Sequence, residues 1–152
     1  MSTQVSAQRF FEDVSMGDEY VEHHQPTTEH VIEFMTSMND KREGRFTDTK
    51  EARAQGLHAA IVPGTMSTAM IHRTVTNWMG PMGRVVSLDI SFRRPVLHGD
   101  LLKCHAVVTD TTDPAEVALG VMPVVTLDLV LECEERGEKP VQGTAVIELP
   151  RK

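Results

Sequence analysis

The chain has 152 residues, 15 basic and 22 acidic side chains, a formal net charge of -7 and a pI near 5.4. That length suits a single domain with a hydrophobic core, and the acidic balance disfavours nucleic acid or an anionic membrane as the main partner. No apolar run reaches membrane-spanning length and no basic-then-apolar leader opens the chain; Cys104 and Cys133 both fall in predicted strands and read as buried thiols, in keeping with a cytoplasmic setting.

Residues 1–9 are polar and are expected to be loose. Phe10, Phe11 and Val14 suit the edge of a core, and Met16-Gly17-Asp18 reads as a turn. Tyr20 to His24 is a short predicted strand ended by Pro26. Thr27 or Thr28 caps a helix over about Glu29 to Met38, whose apolar residues Val31, Phe34, Met35 and Met38 recur at three- and four-residue spacing. Asn39 to Lys50 is polar and charged apart from Phe46, and so long a stretch without apolar periodicity suggests a functional loop. Glu51 to Gln55 suits a helical turn stopped by Gly56.

Pro63-Gly64 then opens a run from Thr65 to Met79 free of Gly and Pro, which predicts a helix of about four turns. Its apolar residues lie on more than one side, so burial along much of its length is expected. The N–H groups at its start, at Gly64 and Thr65, have no partner within the helix and suit a carbonyl oxygen or an anion. Downstream the chain alternates as strands. Val86, Leu88, Ile90 and Phe92 share one predicted face, and Ser87, Asp89, Ser91 and Arg93 the other. His98-Gly99-Asp100 is a turn, with His98 expected in solvent and Asp100 a turn-former. Leu102 to Val108 and Leu127 to Cys133 continue the alternation, Asp110 to Glu116 is a polar connection, and Arg136-Gly137-Glu138 turns into a last strand over Gly143 to Leu149. One long helix wrapped by a strongly curved antiparallel sheet is the simplest layered arrangement of these parts, an α+β fold.

The order of these pieces resembles the MaoC-like dehydratase family, which has a hotdog fold. FEDVSMGDEY with TTEHVIEFMTSMND resembles that family's opening strand and helix. Ala52, Gly56 and IVPGTM at 61–66 resemble the lead into its central helix, FRRPVLHGDLL from Phe92 to Leu102 its sheet signature, and QGTAVI from Gln142 to Ile147 its closing strand. The resemblance covers nearly the whole of residues 1–152 as one domain. It implies acyl thioesters such as acyl-CoA as substrates, with coenzyme A as part of the substrate and no separate cofactor. It implies R-specific hydration of a 2-enoyl thioester or the reverse dehydration, dimers with sites near the interface, and a catalytic Asp and His five residues apart in Gly-Asp-x-Asn-Pro-x-His.

Asp40 stands where that Asp is expected, after Asn39. Arg42 and Glu43 replace the Asn and Pro, and Arg45, or Phe46 if one residue is inserted, stands at the His position. Neither is a general base at neutral pH. Hydration needs water held and deprotonated, the alpha carbon protonated, and the thioester oxygen stabilised. Gly64 and Thr65 supply the oxygen site, and Asp40 orients water. His72, about two helical turns beyond Gly64, and His58, just before the helix, are the candidate bases, each weighed against an ordinary structural histidine. His23 and His24 carry less signal. Arg93 and Arg94 are candidates for a rim that holds coenzyme A or phosphopantetheine phosphates, weighed against pairing with carboxylates of this acidic chain. No metal site or dinucleotide fingerprint is expected. The rival readings are a non-catalytic MaoC-like subunit of a heteromeric hydratase, a thioesterase on the same fold, and a binding or structural role in a homodimer.

Overall fold

The structure is a computed structural model and describes residues 7–152. Its sheet has five antiparallel strands, β1 (Glu19–His24), β2 (Arg84–Phe92), β3 (Leu102–Thr111), β4 (Val124–Cys133) and β5 (Glu138–Glu148), in the order β1-β3-β4-β5-β2. The strict alternation of β3 and β4 explains their burial: Leu102, Cys104, Ala106 and Val108 face inward, opposite Cys133, Leu131, Leu129 and Leu127 of β4. Val141, Ala145 and Ile147 of β5 complete this layer. Each fully buried leucine contributes about 2 kcal/mol by leaving water.

Helices α1 (Thr28–Ser37), α2 (Thr49–Ala54), α3 (Gly64–Met79) and α4 (Pro114–Ala118) complete the chain. α3 lies against the sheet with Ser67, Ile71, Thr74, Val75 and Trp78 buried. Burial does run along most of the helix, from Met66 to Met79, but on one side only: Thr65, Ala69, His72 and Arg73 form an exposed stripe at helical spacing. Thr27 caps α1 by accepting from His30 N–H at 3.2 Å. α4 was not expected in a segment containing proline. Pro114 sits in its first turn, where no N–H is needed, and the Asp113 carboxylate accepts from Ala115 N–H at 2.8 Å.

The face assignment of β2 also changes. A bulge between Val85 and Ser87 leaves Val86 as the extra residue, exposed, so Val85 takes its place beside Leu88 and Ile90 against the core; Phe92 keeps their phase, opposite Val141, with its ring over Gly64 and partly in solvent. Gly143 of β5 meets the same strand closely: a β-carbon there would lie 2.5 Å from the Asp89 carbonyl oxygen. Near the start of the chain, Gln8 and Arg9 are anchored rather than loose. Gln8 Nε2 donates to the Met79 carbonyl at 2.8 Å, Arg9 Nε donates to the Trp78 carbonyl at 2.9 Å, and the Arg9 guanidinium sits 4.8 Å from the centre of the Trp78 ring. Residues 1–6, also expected to be loose, lie outside the described residues.

Candidate active site

The start of α3 is held from both sides. Val62 N–H donates to the Val96 carbonyl at 2.8 Å, and the N–H groups of Met66 and Ser67 turn back to the Pro63 carbonyl. Pro63 precedes the helix without a side-chain cap, so Gly64 N–H and Thr65 N–H have no hydrogen-bond partner among the described residues. A cleft of about 320 Å³ lies here, lined by Gly64, Ser67, Phe92, Arg93, Arg94 and Val96. The Phe92 ring covers Gly64 so closely that an added β-carbon would lie 3.4 Å from it. Both arginines are exposed, and their backbone N–H groups share the Pro140 carbonyl, which fixes the turn that carries them. The structure therefore brings Gly64, Arg93 and Arg94 to one cleft, with Thr65 exposed beside Gly64 on the helix.

Asp40 is positioned by the end of α1, where its N–H donates to the Met35 carbonyl at 2.8 Å. Its carboxylate is engaged at both oxygens by Arg42: Nε donates to Oδ1 at 2.9 Å and Nη2 to Oδ2 at 2.6 Å. Arg42 N–H adds a bond to Oδ1 at 3.1 Å. These bonds and the guanidinium charge hold the Asp40 pKa below the usual carboxylate range. Arg42 in turn lies over the Phe46 ring at 4.5 Å and Arg45 at 5.2 Å, with the buried phenyl ring as their platform.

The two histidines weighed as bases are elsewhere. His72 lies in the exposed stripe of α3, and its side chain makes no hydrogen bond among the described residues. His58 is exposed and lines a different cleft of about 230 Å³ with Arg94, Leu97, Arg136 and Glu138. Neither is bonded to Asp40, whose side-chain partner is Arg42. His98, expected in solvent, is half-buried. Its Nδ1 meets Thr28 Oγ1 at 3.0 Å, and burial lowers its pKa. Asp100 does form the turn, accepting from Leu97 N–H at 2.8 Å, and it is also buried in an ion pair with Arg136. Among the described residues no three His, Cys, Asp or Glu side chains converge as metal ligands.

One polar group was missed from sequence. The inward positions of β1 are Tyr20, Glu22 and His24. Glu22 accepts from Asn77 Nδ2 at 3.1 Å and from Tyr20 Oη at 3.1 Å. His24 Nε2 meets Thr74 Oγ1 at 2.9 Å and lies 3.8 Å from Glu22 Oε1. Cys104, behind Thr74, is pushed up to about 11 by burial and stays a thiol. The signal available in the sequence was a short strand whose alternate positions are all polar and titratable.

A long helix laid on one antiparallel sheet, with its open first turn facing a cleft, defines a hotdog-fold protein. The chain belongs to the MaoC like domain family, which it matches over residues 46–128. It is similar in fold to an (R)-hydratase from A. caviae involved in PHA biosynthesis, at 20% identity and a TM-score of 0.79, over 91% of this chain and 99% of that one. R-hydratase PhaJ1 from Pseudomonas aeruginosa gives 20% identity and a TM-score of 0.79 over 93% and 86% of the two chains. A chain of the ChsH1-ChsH2 complex from Mycobacterium tuberculosis gives 18% identity and a TM-score of 0.74 over 89% and 98%. No curated protein matches the sequence.

Proposed function

We propose that this chain serves in the hydration or dehydration of an acyl thioester as the subunit that holds the thioester, while a related hotdog subunit supplies the acid–base pair. The observation that carries this reading is the Asp40–Arg42 chelate. A carboxylate bonded at both oxygens by a guanidinium is a poor base, and the chain places Arg45 and Phe46 where a titratable partner is needed. The thioester end of the site is intact: Gly64 and Thr65 N–H groups are open to a carbonyl oxygen that gains charge, and Arg93 and Arg94 stand at the cleft for phosphates. The similarity to a chain of a two-component complex is in keeping with such a partner.

The test is crotonyl-CoA hydration by the chain alone and after co-expression with a hotdog homologue that carries an Asp–His pair. Activity only in the co-expressed complex, and little changed by Asp40→Asn, is the expected result. Activity of the chain alone that Asp40→Asn abolishes overturns it in favour of a second reading, a self-sufficient hydratase. One observation favours that second reading: the Arg42 side chain is 55% exposed, so the latch on Asp40 can swing into water. Release of free thiol from a saturated acyl-CoA, without hydration, would make the chain a thioesterase.

A further inference from the structure

A second cleft, of about 310 Å³, opens between the β1–α1 junction and α3. Met66 and Met70 of α3 and Pro26 line it, with His24, His30 and Arg73 as its polar walls. Its volume is at the small end of the range for small-molecule sites. It lies on the face of α3 that carries Met66, Met70 and Arg73, whereas the thioester cleft takes Gly64 and Ser67.

The network behind His24 favours a proton on one ring nitrogen. Thr74 Oγ1 donates to the Met70 carbonyl at 3.2 Å, which leaves the hydroxyl oxygen free to accept from His24 Nε2 at 2.9 Å. Glu22 Oε1, 3.8 Å from Nε2, places negative charge beside the same nitrogen and favours the proton there. Burial keeps the ring neutral, since it is the largest influence on its lowered pKa. Nδ1 therefore carries a lone pair. It has no protein partner among the described residues, and it is not among their sealed, unpartnered polar atoms. His30 does not compete for it, because its own Nδ1 donates to the Gln25 carbonyl at 3.2 Å.

We propose that this cleft is a binding site for an apolar molecule bearing one hydroxyl group, which donates to His24 Nδ1 while the apolar body lies on Met66 and Met70. Methionine suits an apolar partner of irregular shape, because its unbranched thioether repacks at little cost. A ligand without the donor leaves the Nδ1 lone pair desolvated and unpaired, which lowers affinity about tenfold or more and sets the selectivity. The site stands independently of the thioester reading, since neither Gly64 nor Asp40 takes part.

The test uses 1-naphthol and its methyl ether, 1-methoxynaphthalene, as probes on the whole chain. Long-range proton–nitrogen NMR of the imidazoles reads the tautomer directly. The expected spectrum shows His24 with a proton on Nε2 and a lone pair on Nδ1. 1-Naphthol then shifts His24 Nδ1 and the Met66 and Met70 methyl signals, and binds at least tenfold more tightly than the ether. His24→Phe loses that preference. A proton on Nδ1 in the free protein, equal affinity for the two probes, or naphthol shifts that map away from Met66 and Met70 would each overturn the proposal. The tautomer and probe comparison use wild-type protein, so the test stands even if His24→Phe fails to fold.

Discussion

Asp40 and His24 show how neighbours decide what one side chain can do. Asp40 is the carboxylate expected at the catalytic position, and Arg42 holds it ionised and occupied. Arg42→Ala removes the chelate without touching the core, since the guanidinium is largely exposed. Little change in folding stability is expected by urea denaturation, because an exposed pair is screened by water; a clear loss would mean that the pair orders the whole loop. His24 and His98 carry a pH prediction. Both have pKa values lowered by burial from the ordinary 6.5, so in the folded state both resist protonation. Below that ordinary value the unfolded chain binds protons that the folded chain does not, and stability falls as pH drops from about 6.5 through the lowered folded values. Around His24 the charged groups are Glu22, which opposes this shift, and Arg73 and His23, which add to it. The melting temperature is expected to fall between pH 7 and pH 5, with a shallower fall in His24→Gln; a flat profile in wild-type protein would refute the assignment.

At the scale of elements, close approach and capping leave little room. The β2–β5 pair depends on Gly143, because any β-carbon there meets the Asp89 carbonyl oxygen. Gly143→Ala is expected to cost about 2 kcal/mol by chemical denaturation, above the average for single substitutions; a neutral result would show that β2 can shift outward freely. Asp100 ties the start of β3 to the turn before β5 through Arg136. Asp100→Ala leaves that guanidinium without its buried partner and is expected to cost about 3 kcal/mol by urea denaturation; a near-neutral result would show that Glu138 alone satisfies Arg136. Helix α4 and the β2 bulge explain the two misread segments. A proline reads as a breaker in sequence, but after a capping aspartate it is a good first-turn residue. A bulge inserts one residue and inverts the face of everything before it, which no alternation pattern reveals.

At the scale of the whole molecule, β2 is an edge strand hydrogen-bonded only to β5, with Val86 and Phe92 exposed on it. A free edge with apolar side chains invites a second strand. A dimer through this edge, with itself or with a related hotdog chain, is the proposed assembly. Light scattering is expected to give twice the 16.9 kDa chain mass, and Val86→Lys with Ser91→Lys to give the monomer. A wild-type monomer in the absence of any partner would leave the heteromer as the assembly to look for. Among the described residues no helix is long and apolar enough to cross a membrane.

The sequence by itself determined the alternation of β3 and β4, the capped helix after Pro26, the long helix after Pro63-Gly64, and the lack of a histidine between Asp40 and Ala52. These are local facts, written in the period of apolar residues and in the types that follow one another along the chain. Only the tertiary structure decided that neither His72 nor His58 bonds the Asp40 carboxylate, that Arg42 holds it, and that His24 is backed by Thr74 and Glu22. The His24–Thr74 bond joins β1 to α3, residues fifty apart that only packing brings together, while the Asp40–Arg42 and Glu22–His24 pairs join residues two apart whose side-chain directions the folded backbone sets.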